Sequence, residues 1–174
     1  DGTAGDSYGR SVALSGETAI LGAPGHASQT GAAYVFVRGS ATWTEQEKLS
    51  AGAAGEEFGS ALDVDVNYAV VGAPLGNQAW VFERTGVNWN GGQAISGAGG
   101  GEFGRSVSIS SETIIIGAPA RNASAGSVSA FSRNAGGIWL EEAQLTASDT
   151  SASSDFGSSL SVVGRFAVIG AKSA

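Results

Sequence analysis

Every proline of this 174-residue chain lies in one recurring tripeptide, Gly-Ala-Pro. The three copies are Gly22-Ala23-Pro24, Gly72-Ala73-Pro74 and Gly117-Ala118-Pro119. An aromatic-glycine pair precedes each copy, with the two glycines 13 residues apart every time: Tyr8-Gly9, Phe58-Gly59 and Phe103-Gly104. A fourth copy runs from Phe156-Gly157 to Gly170-Ala171, with Lys172 in place of the proline. Internal repeats with a period of about 50 residues are typical of propellers and solenoids.

Each repeat predicts a small antiparallel sheet. In the first, residues 11–15 alternate polar and apolar side chains, as a strand with one buried face does. Residues 18–21 form a second strand that stops before proline, which lacks an N–H for the ladder. A variable loop, a third strand at 33–37 and a fourth at 43–49 complete the unit. The chain is therefore predicted to be all-β, with blades of four antiparallel strands.

The repeats divide one domain, residues 1–174, into about three and a half blades. Their approximate limits are 6–54, 55–100, 101–152 and the partial unit 153–174. Loops after Gly-Ala-Pro vary most, at 25–31, 75–78 and 120–126, as do the linkers 97–101 and 147–154. Because loops on a rigid scaffold carry specificity, a protein or glycan ligand is expected at these variable segments.

Composition narrows the classes of partner. The formal charge is −7 and only nine Lys and Arg are present, scattered singly, so neither nucleic acid nor an anionic membrane would be attracted. No apolar run approaches the ~20 residues needed to span a bilayer, so we expect no membrane insertion. Cysteine is absent, which excludes disulfides and thiolate metal sites. The acidic, lysine-poor composition and a first residue other than Met favour a processed protein that is extracellular or on the cell surface.

The order of these elements resembles the FG-GAP repeat, the unit of the integrin α-subunit propeller and of many secreted proteins. This resemblance covers residues 6 to 172 and implies a seven-bladed propeller that serves adhesion or recognition. Three and a half repeats do not close such a ring. The chain is either a part of a longer propeller, or copies of it associate to complete one.

Many FG-GAP repeats bind calcium in an aspartate-rich turn between the first two strands. The corresponding turns here are Ser15-Gly16-Glu17, Asp65-Val66-Asn67, Ser110-Ser111-Glu112 and Val163-Gly164-Arg165. None offers the several oxygen ligands that Ca²⁺ requires, so no calcium and no other cofactor is expected. We interpret Asp63 and Asp65, the nearest approach to such a site, as solvated strand carboxylates.

Candidate catalytic residues are few. The single histidine, His26, is predicted to be a loop surface residue rather than a catalyst. Two carboxylate pairs on fourth strands, Glu45/Glu47 and Glu141/Glu142, are read as solvated faces. The acidic residues before each aromatic-glycine, in contrast, recur like blade-junction groups that accept backbone N–H bonds: Asp6, Glu57, Glu102 and Asp155. The periodic Trp43, Trp89 and Trp139 indicate packing before sugar binding.

The sequence therefore predicts a non-enzymatic extracellular module for adhesion, recognition or surface assembly. Two alternatives stay open: a carbohydrate-binding lectin and a structural component of an extracellular filament or surface layer. Tyr34 and Trp80 share one repeat position, but Ser129 replaces them in the third copy, which argues against a repeated sugar platform. Asn122 begins an Asn-Ala-Ser glycosylation sequon, which has meaning only in a eukaryotic secretory setting.

Overall fold

The computed structural model describes residues 2–149 and 152–172, which form four antiparallel sheets that we call blades 1 to 4. Blade 1 contains β1 (Val12–Ser15), β2 (Thr18–Ala23), β3 (Ala32–Arg38) and β4 (Trp43–Leu49). Blade 2 contains β5 (Ala61–Asp65), β6 (Tyr68–Ala73), β7 (Gln78–Thr85) and β8 (Asn88–Ser96). Blade 3 contains β9 (Ser106–Ser110), β10 (Thr113–Ala118), β11 (Ser127–Arg133) and β12 (Trp139–Leu145). Blade 4 contains only β13 (Phe156–Val163) and β14 (Phe166–Ala171).

The prediction of all-β blades is confirmed. Consecutive strands pair in the order of the chain, so every blade is a meander. The second strand is longer than predicted, because Gly22 and Ala23 remain paired with β3 and the strand ends at Ala23, directly before the proline. In each complete blade, the third and fourth strands slip register at a bulge, which falls at Val35/Phe36, Val81/Glu83 and Ala130/Phe131. Within residues 2–149 and 152–172, helix is confined to three short turns, at His26–Gln29, Pro74–Gly76 and Arg121–Ser124.

The core lies between blades. Each blade has a front face, packed on the blade before it, and a back face, packed on the blade after it. Between blades 1 and 2, Ile20 and Val35 from the back of blade 1 meet Leu62, Val64 and Trp89 from the front of blade 2. Equivalent side chains fill the next junction, where the back face of blade 2 meets Val107, Ile109 and Trp139. A single blade therefore buries its apolar side chains only against its neighbours.

The blades fan out from a common edge. Neighbouring blades contact one another mainly through their first and second strands, and much less through their fourth strands. The first strands are therefore innermost and the fourth strands outermost, which is the radial arrangement of a propeller and not of a straight stack. This geometry confirms the predicted fold class.

The 13-residue interval between the two motif glycines has a direct structural cause. Gly9 donates its N–H to the carbonyl of Gly22 at 2.8 Å, and Gly59 and Gly104 donate to Gly72 and Gly117 in the same way. These bonds close the hairpin made by the first two strands. The second glycine of each pair also faces the next blade, where a Cβ on Gly72 would overlap the carbonyl of Gly104. The two motifs thus join each hairpin internally and to its successor.

Two faces of the fan have no neighbouring blade among the described residues. The front of blade 1 exposes Tyr8, Val12, Leu14 and Trp43, with Val12 and Leu14 each 66% exposed. The back of blade 4 exposes Val163, Phe166 and Val168, with Phe166 81% exposed. In blades 2 and 3, the residues equivalent to Val12, Leu14 and Trp43 are buried against a preceding blade. Both open faces therefore have the apolar character of an internal blade junction.

Candidate ligand-binding face

The variable loops and both repeat motifs lie at one end of the blades, which we call the loop end. There the loops between second and third strands meet the segments that lead into first strands. The hairpin turns between first and second strands lie at the opposite end, the turn end. This follows from the meander, since a first strand starts where the second ends.

Two of the three loops at this end adopt the same unusual conformation. Three consecutive residues have positive φ in blade 1, at Ala27, Ser28 and Gln29, and three in blade 3, at Asn122, Ala123 and Ser124. For a residue other than glycine, this backbone conformation is unfavourable by about 1–3 kcal/mol of free energy, so other contacts must hold the loops. Neither triplet contains glycine, so the amino-acid composition of the loops does not predict this conformation.

Hydrogen bonds to the next blade hold these loops. In blade 1, the carbonyls of Gln29 and Thr30 accept the N–H groups of Glu57 and Phe58 at 2.8 and 3.2 Å. In blade 3, the carbonyls of Ser124 and Ala125 accept those of Asp155 and Phe156 at 2.7 and 3.2 Å. The loop of blade 2 is shorter and uses a side chain instead, with Asn77 Oδ1 accepting the N–H of Glu102 at 2.9 Å. Contacts with the next blade therefore hold all three loops in place.

These bonds correct the prediction for the acidic residues that precede each aromatic-glycine. At the blade junctions, Glu57, Glu102 and Asp155 contribute their backbone N–H groups as donors, not their carboxylates as acceptors. Each has positive φ, which turns its N–H toward the preceding blade. The carboxylates are left to face the loop end. Asp6, one position earlier in its repeat, does accept a backbone N–H, that of Thr3, within its own loop.

A polar cavity opens where blades 1 and 2 meet at the loop end, and we call it the first cavity. Its volume is about 380 Å³, and Arg10 and Arg105 line it together with the carboxylate residue Glu57. The rest of its wall comes from small or polar residues: Gly5, Ser7, Pro24, Gly25, Ser28, Gln29 and Ser60. Arg105 reaches it from blade 3, so the first cavity collects groups from three consecutive blades.

A second cavity of about 370 Å³ occupies the equivalent position between blades 3 and 4. Several of its lining residues occupy the same repeat positions as those of the first cavity. Arg105 is equivalent to Arg10, Asp155 to Glu57, and Ser158 to Ser60. Lys172 supplies the further cation that Arg105 supplies in the first cavity. Because Arg105 lines both, the two cavities are neighbours along the loop end. At the junction between them, the loop of blade 2 is the short turn Pro74–Gly76 and lacks the left-handed triplet of the other two loops.

His26 belongs to a polar cluster on blade 1 and is not a free surface residue. Its Nδ1 lies 3.0 Å from Asp6 Oδ2, and its Nε2 lies 2.8 Å from Lys48 Nζ. Since an ammonium group only donates, Nε2 accepts from Lys48 and Nδ1 donates to Asp6. The hydrogen bond from His26, with further bonds from Thr3, lowers the pKa of Asp6 to about 2. The cluster ties residues 3–6 to the loop and the fourth strand of blade 1.

The interpretation of Asp63 and Asp65 as solvated carboxylates is wrong. Asp63 Oδ2 accepts the hydroxyl of Ser108 at 2.8 Å and the N–H of Ile109 at 2.9 Å, so it joins blade 2 to blade 3. Asp65 accepts the N–H of Ser111 in the next hairpin turn. Ser15 and Ser110, at the same repeat position as Asp65, accept from the following turn in the same way. These carboxylates are periodic junction groups.

The interpretation of fourth-strand carboxylates as solvated also fails at one position. Glu47 Oε2 accepts the N–H of Trp89 at 2.9 Å, and Gln93, its counterpart in blade 2, bonds to Trp139 in the same manner. The paired Glu45, Glu141 and Glu142 are exposed. Trp89 and Trp139 are each 4% exposed, as packing predicts, whereas Trp43 is 44% exposed because blade 1 has no described blade before it.

The remaining predicted positions are distributed as follows. Phe58 and Phe103 are buried between blades, while Tyr8 is 46% exposed on the open front face and contacts Tyr34. Tyr34 is buried, Trp80 half-buried and Ser129 buried, so this position does not form a row of exposed rings. Asn122 is exposed at the loop end, within the left-handed turn of blade 3. The predicted linker 147–154 lies partly outside the described residues, at 150 and 151.

The described parts of the chain contain no cluster of three or more histidine, cysteine or acidic residues suited to a metal ion. Within the same residues, no helix has the length and apolar character needed to cross a bilayer. The loop end thus presents fixed loops, two polar cavities and exposed cations.

A fan of four-stranded blades joined by glycine contacts defines a propeller-type repeat protein. The sequence profile described as "FG-GAP repeat" matches residues 1–36, 43–84, 93–131 and 139–174, and the chain belongs to this family. Two of these matches, 43–84 and 93–131, begin within the fourth strand of one blade and end in the third strand of the next. Among curated proteins, no significant match is found. FG-GAP repeats form propeller-type modules that are generally non-catalytic and typically extracellular.

Proposed function

We propose that the chain is a non-enzymatic recognition module that acts outside the cell or on its surface, in adhesion or assembly, and holds its partner at the loop end. The observation that supports this most is the pair of equivalent cavities with fixed walls. Preorganised walls lower the entropy cost of binding, because the protein does not have to order itself around the ligand. Chemistry repeated at two positions suits the recognition of an extended partner better than it suits a single active site.

Adhesion and recognition are preferred over catalysis on chemical grounds. His26, the only histidine, is bonded on both ring nitrogens, to Asp6 and Lys48. It therefore has no free nitrogen with which to accept a proton from a substrate in this arrangement. Hydrolase activity that survives purification and is lost in His26→Ala would contradict the proposal.

A carbohydrate-binding function is the second candidate. A cavity of about 370 Å³ on the open front of blade 1 is lined by Tyr8, Tyr34 and Glu45, with Gly2 and Thr3. An aromatic face beside a carboxylate is a combination that sugars use for stacking and hydrogen bonding. This cavity lies on a face that resembles a blade junction, which is why we place it second.

The third candidate is structural assembly, for which the two open faces give the support. We propose that each face is covered by another FG-GAP blade, from the rest of a longer chain or from a second copy. Light scattering on the 174-residue chain distinguishes the sources: self-association abolished by Phe166→Lys supports association of copies, and a monomeric unsubstituted chain contradicts it. Neither nucleic acid nor a membrane is proposed as a partner, because the net charge is −7.

A matched pair of surface variants tests recognition at the loop end. Leu75, in the loop of blade 2, is 52% exposed, and Val87, at the turn between β7 and β8, is 64% exposed. Wild type, Leu75→Lys and Val87→Lys are applied to arrays of extracellular proteins and glycans. The proposal expects specific binding that Leu75→Lys weakens and Val87→Lys leaves intact. Loss in Val87→Lys alone would move the interface away from the loop end, and a chain inert on all arrays would contradict recognition.

A further inference from the structure

The two open faces of the fan carry the two halves of one blade junction. The back of blade 4 has side chains at the positions that hold the back of each earlier blade against its successor. Val168 is 74% exposed there, whereas its repeat equivalents Ile20, Val70 and Ile115 are at most 2% exposed between blades. Covering this face with the front of another blade is favourable, because its apolar side chains then leave water.

The polar contacts of a junction are also prepared on both faces. Ser106 donates its hydroxyl to the carbonyl of Gly157 at 2.6 Å, and the first junction has the same bond at 2.7 Å. Ser159 occupies the donor position in blade 4, and Gly9 occupies the acceptor position at the front of blade 1. Gly170 holds the position that packs against this acceptor glycine in the other blades. The front of blade 1 therefore offers the group that Ser159 requires.

Phe166 determines which kind of blade front fits the back of blade 4. Tyr68 holds this position in blade 2, where the guanidinium carbon of Arg133 lies 5.0 Å from the centre of its ring. The ring of Trp139 lies 5.7 Å from the same ring, at a steep angle to it. An aromatic ring at this position therefore packs against an arginine and a tryptophan from the next blade.

The front of blade 1 presents this pair of residues. Arg38 and Trp43 hold the repeat positions of Arg133 and Trp139, and Trp43 is 44% exposed. Arg38 lies 3.8 Å from Glu17, but both side chains are more than half exposed, and a pair of this kind contributes little. The Arg38 side chain can therefore move onto a ring from another molecule.

The charges of the two faces do not oppose this contact. The junction positions at the back of blade 4 are all uncharged: Ser159, Ser161, Val163, Phe166, Val168 and Gly170. Val163 replaces the acceptors Ser15, Asp65 and Ser110, so the bond between successive hairpin turns is lost at this face. The contact therefore depends mainly on its apolar and aromatic groups.

We propose that copies of this chain associate head to tail, with the back of blade 4 in one copy packed on the front of blade 1 in the next. Phe166 of one copy then lies against Arg38 and Trp43 of the other. A contact between two different faces is heterologous, so this single contact covers both open faces from copy to copy. The proposal rests on the structural-assembly candidate, specifies its partner, and is independent of recognition at the loop end.

Two variants that each alter one face test the pairing. Leu14→Lys places a charge on the front of blade 1 and leaves the back of blade 4 intact, and Phe166→Lys does the reverse. These positions are 66% and 81% exposed, so both variants should fold, which the fluorescence of the buried Trp89 and Trp139 checks. Val87→Lys, at the turn between β7 and β8, is the control for a lysine at an exposed apolar position. Light scattering measures the masses.

We expect the unsubstituted chain and Val87→Lys to self-associate equally, and Leu14→Lys and Phe166→Lys to be monomeric when each is alone. An equimolar mixture of these two variants should form a one-to-one pair, because one copy keeps the intact back and the other the intact front. Adding Arg38→Gln to the Phe166→Lys copy should weaken this pair about two- to fivefold, as expected for an exposed contact between a cation and a ring. Arg121→Gln, in the loop of blade 3, should leave it unchanged.

The contrary results are distinct. A monomeric unsubstituted chain would overturn association of copies of any kind, while array binding that is sensitive to Leu75→Lys would still support recognition. Self-association that persists in Leu14→Lys or Phe166→Lys alone would overturn only the head-to-tail pairing, because the contact would then join two like faces. A mixture of the two variants that stays monomeric would overturn that pairing as well. An unchanged affinity in Arg38→Gln would overturn the contact of Arg38 with Phe166.

Discussion

Replacing Gly72 by alanine should break the contact that joins blade 2 to blade 3. A Cβ on Gly72 would lie 2.9 Å from the carbonyl carbon and 3.3 Å from the Cα of Gly104, and would overlap the carbonyl oxygen. Ordinary contacts of a Cβ are 3.4–4 Å, so the two backbones must separate. Both belong to paired strands or to the hydrogen bond between Gly104 and Gly117, which leaves little room for adjustment.

The magnitude follows from two opposing effects. Overpacking of a well-packed core costs about 1–3 kcal/mol or more, and a backbone contact of this kind lies at the upper end of that range. Alanine in a strand recovers about 0.5–1 kcal/mol, because glycine loses more conformational entropy on folding. We therefore expect Gly72→Ala to lower the free energy of unfolding by about 2 kcal/mol. With a urea slope of about 2 kcal/mol/M, the midpoint should fall by roughly 1 M.

Gly170→Ala is the matched control within the same chain. Gly170 holds the same repeat position in blade 4, but no blade follows it among the described residues, and its added Cβ would meet only Ser159. The Ser159 hydroxyl can rotate away, so this variant should stay within about 0.5 kcal/mol of wild type. Urea unfolding followed by the fluorescence of the buried Trp89 and Trp139 gives both values. Equal stability of Gly72→Ala and Gly170→Ala would refute the assignment of these glycines to the blade junction.

Three further outcomes follow from the blade junctions and the histidine cluster. Trp89→Ala should lower the free energy of unfolding by about 3–5 kcal/mol and Trp43→Ala by less than about 1 kcal/mol, because only Trp89 is buried between blades; urea unfolding measures both. Asp63→Ala should lower the free energy of unfolding by about 1–3 kcal/mol, because the N–H of Ile109 and the hydroxyl of Ser108 lose their acceptor. Thermal unfolding measures this loss of stability. The pKa of Asp6, about 2 against an ordinary 3.8, should rise in His26→Ala, as carboxyl NMR titration would show.

Controls and contrary results are available for each. Asp149 is exposed, so Asp149→Ala should leave stability unchanged, and a loss equal to that of Asp63→Ala would argue against a junction role. Equal losses of stability in Trp89→Ala and Trp43→Ala would contradict the burial of Trp89 between blades 1 and 2. Because the folded pKa of Asp6 is below its ordinary value, its contribution to stability is present above pH 3.8 and is lost as the pH falls toward 2. An Asp6 pKa unchanged in His26→Ala would exclude their hydrogen bond.

The fold could be predicted from the sequence because its signals are local and repeated. Alternation in residues 11–15, the recurring aromatic-glycine pair and the proline after the second strand all point to the same blade, and three copies carry the full motif, with Lys172 in place of the proline in the fourth. The cause of the 13-residue interval could not be read in this way. It lies in a bond from Gly9 to Gly22 and in the contact between Gly72 and Gly104, and the second of these joins different repeats.

Most contacts of the candidate site could not be predicted from the sequence. Asp63 and Glu47 look like solvated strand residues, since their partners Ile109 and Trp89 are 46 and 42 residues away in the chain. The left-handed loops contain no glycine at their positive-φ triplets, so nothing in their composition signals the turn. One signal was available: Arg10 and Arg105 share a repeat position, and the long loops share the same alternate blades.

The account depends on successive hairpins meeting at their motif glycines. Proton NMR on the unsubstituted chain tests this directly through nuclear Overhauser effects between paired glycines of different repeats: Gly22 with Gly59, Gly72 with Gly104, and Gly117 with Gly157. The account predicts cross-peaks between the Hα protons of all three pairs. Absence of all three, in a chain whose hairpins are otherwise formed, would show that the blades do not pack in this way.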